Sequence, residues 1–336
     1  MSIPVHAFAA HEAGGPLTPF EYSLPPLEGD DVDIAVESCG ICHSDLSMLD
    51  AEWGRTRFPL VPGHEVTGRI IEVGPAVKHL KTGDRVGLGW QAGSCLHCGQ
   101  CMDGHHNLCR SVRPTIIGRH GGFADRVRAQ AAFVCTLPEG LDAASAGPLF
   151  CGGITVFSPI VEFGVKPTDR VGVVGIGGLG HLALQFLNAW GCEVTAFTSS
   201  ASKQDEAVSL GAHKTVSSRD ADALKPLAGQ FDFLLVTANV SLDWPLYLSL
   251  LSPRGRLHVV GAVLEPMAVP VFSLMGGQKS VSSSPVGSPQ TIRTMLDFCA
   301  RHDIRPQVET YPMADVNAAL DRLRSGAARY RVVLTR

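Results

Sequence analysis

The 336-residue chain has little net charge, since 28 Lys and Arg against 32 Asp and Glu leave −4 at neutral pH. With an isoelectric point near 6.3, nothing in that balance favours nucleic acid or an anionic membrane as a partner. The chain also lacks an apolar run long enough to span a bilayer, so no membrane partner is expected. Its amino-terminal stretch "MSIPVHAFAAHEAGG" has no basic flank followed by an apolar core. That excludes a secretory-signal reading and leads us to expect a cytoplasmic protein. Internal repeats are missing, and low complexity is confined to the short serine run of "SVSSSPVGSPQ".

Cysteine, by contrast, is plentiful: there are ten. In a reducing cytosol such a number points to metal binding or catalysis before disulfides. Four of them, Cys95, Cys98, Cys101 and Cys109, crowd into "SCLHCGQCMDGHHNLC", a C-x2-C-x2-C-x7-C pattern. One loop with that spacing can bring four thiolates to the corners of a tetrahedron, the closed form of a structural zinc site. His97, His105 and His106 lie in the same lobe, but four sulfurs already fill the shell, so these rings are expected to face solvent.

A second set of metal-type residues is dispersed: Cys42 in "CGICHSDL", His64 and Glu65 in "PGHEVTG", and Cys151 in "PLFCGGITV". Taken singly, each reads as a buried thiol or a satisfied core histidine. The "HEVTG" segment lacks the second His of H-E-x-x-H, which argues against a zinc protease. Two cysteines and one histidine together would leave the fourth position of zinc open for water or substrate, as a catalytic site requires.

The length suggests two domains. The first 150 residues carry short β-like runs broken by Gly and Pro, such as "DVDIAVESCG", "EVTGRIIEVG", "GDRVGLGW" and "GGFADRVRA", and predict a mostly β, barrel-like unit. From Arg170 onward, "RVGVVGIGGLGHLALQFLNAWGCEVTAFTSS" reads as strand, Gly-rich turn, helix closed by Gly191, and strand. Further alternation follows: "SKQDEAVSLGA" as a helix capped by Ser202, "FDFLLVTAN" as a buried strand, "WPLYLSLLSPRG" as a helix ending at a turn, and "RLHVVGAV" as a strand. This rhythm predicts an α/β fold with a doubly wound parallel sheet. Two amphipathic helices around Thr291–His302 and Ala314–Ser325, then a strand in "RYRVVLTR", close the chain. Within "GIGGLG", Gly175, Gly177 and Gly180 form G-x-G-x-x-G between strand and helix, the context in which backbone amides bind a pyrophosphate. Gly178 and Leu179 complete that turn.

With these sites in this order, the chain resembles the zinc-dependent medium-chain alcohol dehydrogenases over its whole length, through "GHEVTGRIIEVGPAV", the four-cysteine lobe and "GIGGLG". "CGICHSDL", "LFCGGITVFSPI" and "VGIGGLGHLALQF" are similar to the cinnamyl-alcohol-dehydrogenase branch, most of all to its bacterial NADP-dependent aldehyde reductases. The resemblance implies a Rossmann domain, residues 153–285, inserted into a mostly β, GroES-like catalytic domain, residues 1–152 and 286–336. It implies two zinc ions per chain, the catalytic one held by Cys42, His64 and Cys151. Asp45 would accept a hydrogen bond from the free ring nitrogen of His64. Glu65 would lie behind the metal as a transient ligand, while His43 and Arg331 would face the cofactor pyrophosphate, with a surface ion pair as the alternative for Arg331. Ser44 would relay the proton while hydride passes to or from the nicotinamide. Many relatives continue this relay through a histidine five residues after the ligand, where this chain has Ser47.

The second strand of an NAD-binding unit ends in an acid that binds the ribose 2′-hydroxyl. Here that strand ends in Thr198, Ser199 and Ser200, and the next carboxylate is Asp205. Hydroxyls without a repelling acid, with Lys203 nearby, predict NADP(H), and by this reading Lys203 matters to NADPH and hardly at all to NADH. The expected activity is reversible reduction of small-molecule aldehydes to primary alcohols. A polyol or sugar dehydrogenase of the same superfamily and a zinc-stabilised, non-catalytic dinucleotide sensor are the alternatives. Leu49, Trp53, Trp90, Phe150 and Leu264 are candidates for the substrate channel, each equally readable as core. A homodimer is expected from the family, formed by edge pairing of Rossmann sheets through "AVPVF".

Overall fold

The structure is a computed structural model that describes residues 2–27 and 29–336. Met1–Ile154 with Val286–Arg336 form one compact unit, and Thr155–Pro285 form a second. Among the described residues, no single helix is long and apolar enough to cross a membrane.

The first unit opens with an antiparallel hairpin of β1 (Ile3–Ala9) and β2 (Thr18–Leu24). Its main sheet has the order β16-β17-β3-β4-β5-β9, and β8 pairs with β3 off that path. These strands are β3 (Asp31–Ile41), β4 (Glu65–Val73), β5 (Arg85–Leu88), β8 (Arg126–Gln130), β9 (Cys135–Thr136), β16 (Val308–Pro312) and β17 (Arg331–Thr335). Only the β16–β17 ladder of this sheet is parallel. The ribbon of β6 (Gln91–Gly93) and β7 (Arg113–Pro114) brackets the cysteine-rich segment in sequence, within which lies α2 (Gly99–Met102). Shorter helices α1 (His43–Leu49) and α3 (Ala143–Ala146) and longer ones α10 (Pro289–His302) and α11 (Val316–Arg324) complete the unit.

Register fixes an ion-pair network around a buried carboxylate in this unit. Asp33, without exposure, sits opposite Arg128 in the β3–β8 ladder. Arg128 donates to it through Nε at 2.7 Å and Nη2 at 2.9 Å, and Arg126 Nη1 adds a third contact at 3.1 Å. A buried carboxylate left alone would be costly, so the two cations anchor β8 in this register and no other.

In the second unit the sheet order is β12-β11-β10-β13-β14-β15 and every ladder is parallel. The strands are β10 (Arg170–Val174), β11 (Glu193–Thr198), β12 (Lys214–Ser217), β13 (Phe231–Val236), β14 (Leu251–Val259) and β15 (Ser280–Ser283). That is the 3-2-1-4-5-6 winding of a dinucleotide-binding sheet, whose order reverses between β10 and β13. The helices are α4 (Gly152–Glu162), which begins in the first unit, α5 (Gly180–Trp190), α6 (Gln204–Ser209), α7 (Ala221–Leu224), α8 (Trp244–Leu250) and α9 (Val271–Met275). Gly191 closes α5 at φ 104°, a left-handed C-cap that glycine takes without a Cβ penalty.

Several local expectations are corrected. Ser202 does not cap α6: its hydroxyl pairs with Ser200 Oγ at 2.8 Å, a 3-10 turn covers Ala201–Lys203, and Lys203 is the N-cap. The turn expected at "SPRG" is absorbed into β14, where Arg254 takes φ 66° and the register shifts between Phe231 and Phe233. "AVPVF" is not a strand, because Val271 begins α9, and the edge strands of the sheet are β12 and β15. α10 starts two residues early, since Ser288 caps it and Pro289 stands at its first position. α11 begins at Val316, after a 3-10 turn over Met313–Asp315.

Candidate active site and metal centres

The first centre is assembled where β3 runs into α1. Cys42 is the residue between them, with extended backbone (φ −112°, ψ 159°) and a side chain that is buried. β4 begins at Glu65, directly opposite Gly40 of β3. A Cβ at Gly40 would overlap Glu65 Oε2, so glycine there makes room for the carboxylate. Cys151 follows a 3-10 turn (Gly147–Phe150) and precedes α4. Folding thereby unites residues more than a hundred positions apart. Cys42 Sγ lies 3.9 Å from Cys151 Sγ, and His64 Nε2 lies 3.3 Å from Cys151 Sγ. Ligand atoms of Cys42, His64, Glu65 and Cys151 all fall within 4.8 Å of one another, and all four residues are buried.

Around a zinc with Zn–S of about 2.3 Å and Zn–N of about 2.05 Å, tetrahedral edges would be about 3.8 Å for S···S and about 3.6 Å for S···N. The observed distances match the donor set to that ion. Glu65 Oε2 is buried without a hydrogen-bond partner, as a carboxylate oxygen reserved for a cation would be. Asp45, fully buried, takes the outer His64 nitrogen: Oδ1 is 3.0 Å from Nδ1 and also accepts from the Gly63 amide at 2.9 Å. Its Oδ2 accepts from the Cys42 amide at 2.9 Å. One carboxylate thus sets the His64 tautomer that leaves Nε2 facing the two sulfurs.

The two sulfurs behave oppositely: the Cys42 contact, with burial, pushes the Cys151 thiol well above the ordinary range, so the negative charge of the pair is favoured at Cys42. The Cys151 thiol and the His64 ring hold Cys42 well below the ordinary thiol range against the pull of burial, so its thiolate is the form favoured. Burial opposes charge on His64, and Asp45 outweighs it, holding the ring well above its usual value. Burial pushes the Glu65 carboxyl up, countered by Arg331.

For Arg331 the surface ion pair, the alternative reading, is corrected to a buried one. Arg331 is 4% exposed, not at the surface, and its Nη2 donates to Glu65 Oε1 and to the Ile41 carbonyl, the latter at 3.3 Å. Nothing in one sequence links positions 266 residues apart; the pairing of β17 with β3 does. Ser44 is half-buried with its Oγ 3.8 Å from Cys42 Sγ, whereas His43 is exposed at the start of α1. Trp90 meets the His64 ring edge-on, with centroids 4.9 Å apart at 86°, and Trp53 packs on Trp90 at 6.0 Å. Of the other channel candidates, Leu49 and Phe150 are core, Phe150 filling the space over Gly87, and Leu264 is 69% exposed in the second unit.

The second centre needs no long-range assembly. Its sulfur separations are 3.9 Å (Cys95–Cys101), 3.6 Å (Cys98–Cys101), 3.8 Å (Cys98–Cys109) and 3.5 Å (Cys109–Cys95). They bracket the tetrahedral edge of a four-thiolate zinc site and are far longer than the ~2.05 Å of a disulfide. Backbone groups of His97 and Cys98 hold the Cys95 thiol down at about 6. His97 is exposed; His105 and His106 are only partly so, His106 resting edge-on against Phe133.

In the second unit the Gly-rich turn leaves β10 at Gly175, φ 93°. A Cβ at Gly180 would overlap the Gly175 carbonyl, whereas one at Gly177 would meet no heavy atom within 4 Å. Gly180 therefore serves helix–strand packing, and the open face at Gly177 is where a pyrophosphate could approach the backbone. At the end of β11, Thr198 is buried, Ser199 exposed and Ser200 half-buried, with the Ser200 amide donating to Thr198 Oγ1 at 3.3 Å. Lys203 Nζ donates to the Ile176 carbonyl at 3.0 Å.

Residues 28–139 match the alcohol dehydrogenase GroES-like domain family, and residues 178–301 the zinc-binding dehydrogenase family. An aldehyde reductase of Synechocystis sp. is 56% identical over 331 residues, 98% of each chain. Cinnamyl alcohol dehydrogenase from Sorghum bicolor superposes with a TM-score of 0.94 at 38% identity, covering 99% of this chain and 98% of its own. The Helicobacter pylori cinnamyl alcohol dehydrogenase, solved with NADP(H), gives 0.92 at 30% identity over 100% and 99%. Two zinc-type donor sets, a GroES-like unit and a doubly wound sheet place the chain in the zinc-dependent alcohol dehydrogenase family, among its cinnamyl alcohol dehydrogenases and aldehyde reductases.

Proposed function

We propose that this protein reduces aldehydes to primary alcohols with NADPH, reversibly, using the Cys42–His64–Cys151 centre. The observation that carries the reading is the convergence of three buried ligands with Asp45 locked on the outer nitrogen of His64. Zinc bound there would supply Lewis-acid polarisation of a substrate oxygen, and NADPH would supply the hydride. The chain's own residues do the rest. Ser44, the second residue of α1 and beside Cys42, holds or releases the substrate's proton. Trp90 and Trp53 offer a half-buried indole wall next to His64, a surface for an apolar substrate more than for a polyol. Arg331 neutralises Glu65 behind the ligands and keeps the buried carboxylate from repelling Cys42. Its assignment to the cofactor pyrophosphate, with that of His43, belongs to this proposal. Cys95, Cys98, Cys101 and Cys109 would hold the second, structural zinc.

NADPH preference is supported by the acid-free end of β11, where Thr198, Ser199, Ser200 and Lys203 present hydroxyls and an ammonium instead of a carboxylate. The test is catalytic efficiency with a panel of aldehydes and both cofactors, before and after chelation. We expect efficiency with NADPH to exceed that with NADH by at least about tenfold, and Thr198→Asp to erode the difference by like-charge repulsion. Equal efficiencies in the unaltered enzyme would refute the assignment. The protein is further proposed to act as a cytoplasmic homodimer. Val271, Phe272 and Met275 of α9, exposed by 65%, 87% and 64%, support self-association of the second unit.

A further inference from the structure

One contact of the second unit is unexplained by 2′-phosphate recognition. Lys203 follows β11, yet its ammonium reaches across to the turn that follows β10 and donates to the Ile176 carbonyl at 3.0 Å. The two turns are neighbours because β10 and β11 pair in parallel, Val174 opposite Phe197, and so finish together at the carboxyl end of the sheet. The tight turn that carries Lys203 back is itself fastened: the Lys203 amide donates to the Ser200 carbonyl at 3.1 Å, and Ser200 Oγ pairs with Ser202 Oγ at 2.8 Å. Ile176 is buried at 5% exposure, so its carbonyl has few other ways to be satisfied.

The consequence follows from peptide geometry. In a planar trans peptide the C=O of residue 176 and the N–H of residue 177 point in opposite directions. Holding the carbonyl toward Lys203 therefore turns the Gly177 amide away from Lys203. Gly177 is also the position whose missing Cβ leaves open space, and glycine on one side of a peptide plane makes a flip of that plane cheap. A donor that pins the carbonyl removes that freedom. We infer that Lys203 is a brace for the pyrophosphate-binding turn as well as a cation for the 2′-phosphate, and so contributes to binding of both cofactor forms. This departs from the sequence expectation that Lys203 is neutral toward NADH; it rests on the dinucleotide reading of the turn, not on the NADPH preference. Lys203 acts on the pyrophosphate as a positioning residue, through the Ile176–Gly177 peptide.

The experiment uses the full-length, zinc-loaded protein and two readouts that need no turnover. The first is calorimetric affinity for ADP-ribose, which has the pyrophosphate but no 2′-phosphate, and for its 2′-phosphorylated counterpart. The second is hydrogen–deuterium exchange of residues 175–179 without ligand. Lys203→Met should weaken ADP-ribose by about fivefold, in keeping with loss of one charge-assisted hydrogen bond, and weaken the 2′-phosphorylated probe more. Exchange in the turn should be several-fold faster, an effect that simple attraction between Lys203 and a phosphate would not produce. Unchanged ADP-ribose affinity, or unchanged exchange, overturns the brace; should the Met variant fail to fold, Lys203→Gln is read in the same way. The NADPH reading is judged separately, because it fails if the unaltered protein binds the two probes equally, whatever Lys203→Met does.

Discussion

Ser44 and Ser47 stand three positions apart on α1, both half-buried, and so share a helix face. Only Ser44 lies beside a ligand sulfur. Ser44→Ala should cut turnover by about a hundredfold or more, the usual worth of a positioned acid or base. Ser47→Ala should cost little if water takes the proton onward, and equal losses in the two variants would assign the outer relay to Ser47. The glycines of the turn separate in a similar way. Gly177→Ala adds a methyl that meets no protein atom, so the variant should melt like the parent while losing cofactor affinity; Gly180→Ala collides with the Gly175 carbonyl and should lower the melting temperature itself. If both variants melted normally and bound cofactor normally, the pyrophosphate would lie elsewhere. At this scale the two clusters of metal-type side chains were legible because cysteine and histidine carry their chemistry in the residue type. The Arg331–Glu65 pair and the Trp90–His64 contact were not, since each depends on which strands pair and not on any local pattern.

Elements were legible where one physical signal dominates. The βαβ unit around "GIGGLG" is announced by an apolar strand, a Gly-rich turn and a helix with Gly191 at its end, and it forms over those residues. Where two signals compete, the tertiary one wins. "SPRG" has turn residues, but pairing of Leu251 before it and Arg256 after it with β13 keeps it within β14 as an irregularity in which Arg254 takes a positive φ. Apolar "AVPVF" alternates like a strand, but β15 takes an edge position. β14 also carries a residue with a measurable signature. His258 is fully buried, with Nδ1 2.9 Å from Ser282 Oγ and Nε2 3.0 Å from Ser284 Oγ, so it ties β14 to the β15 edge. Phe163 and Phe233 flank its ring, and Arg256 lies over Phe163. Burial, aided by Arg256, lowers its pKa to about 4. The unfolded chain, with an ordinary value near 6.5, takes up a proton first as pH falls. Stability from a neutral His258 is thus fully present above about pH 6.5 and lost progressively toward pH 4, by up to about 3 kcal/mol. His258→Gln should be less stable than the parent at pH 7.5, and the gap in urea midpoints should narrow across that window. A gap constant from pH 7 to pH 4.5 would show that His258 titrates normally.

For the whole molecule, the change of texture at Arg170 made a second, α/β unit legible from the residue pattern, whereas its insertion into the first was implied by the family resemblance. What composition does not encode is that β16 and β17 close the first unit's sheet beside β3, because a strand's neighbour is chosen by long-range pairing. Assembly is the next level of the same problem. The second unit ends in a free edge, β15, and displays Val271, Phe272 and Met275 on α9 nearby in sequence. Exposed apolar residues concentrated on one short element favour burial against another copy, at roughly 25 cal/mol for each Å² covered. All seven proposed zinc ligands lie in the first unit, whereas Phe272 lies in the second, so a change at Phe272 can be read without disturbing either metal centre. Phe272→Asp puts a charge where apolar contact is expected, and sedimentation of this variant should shift from dimer toward monomer at micromolar concentration. Its zinc content should stay at two per chain. A parent protein that sediments as a monomer, or a Phe272→Asp protein as dimeric as its parent, would move the self-association surface away from α9.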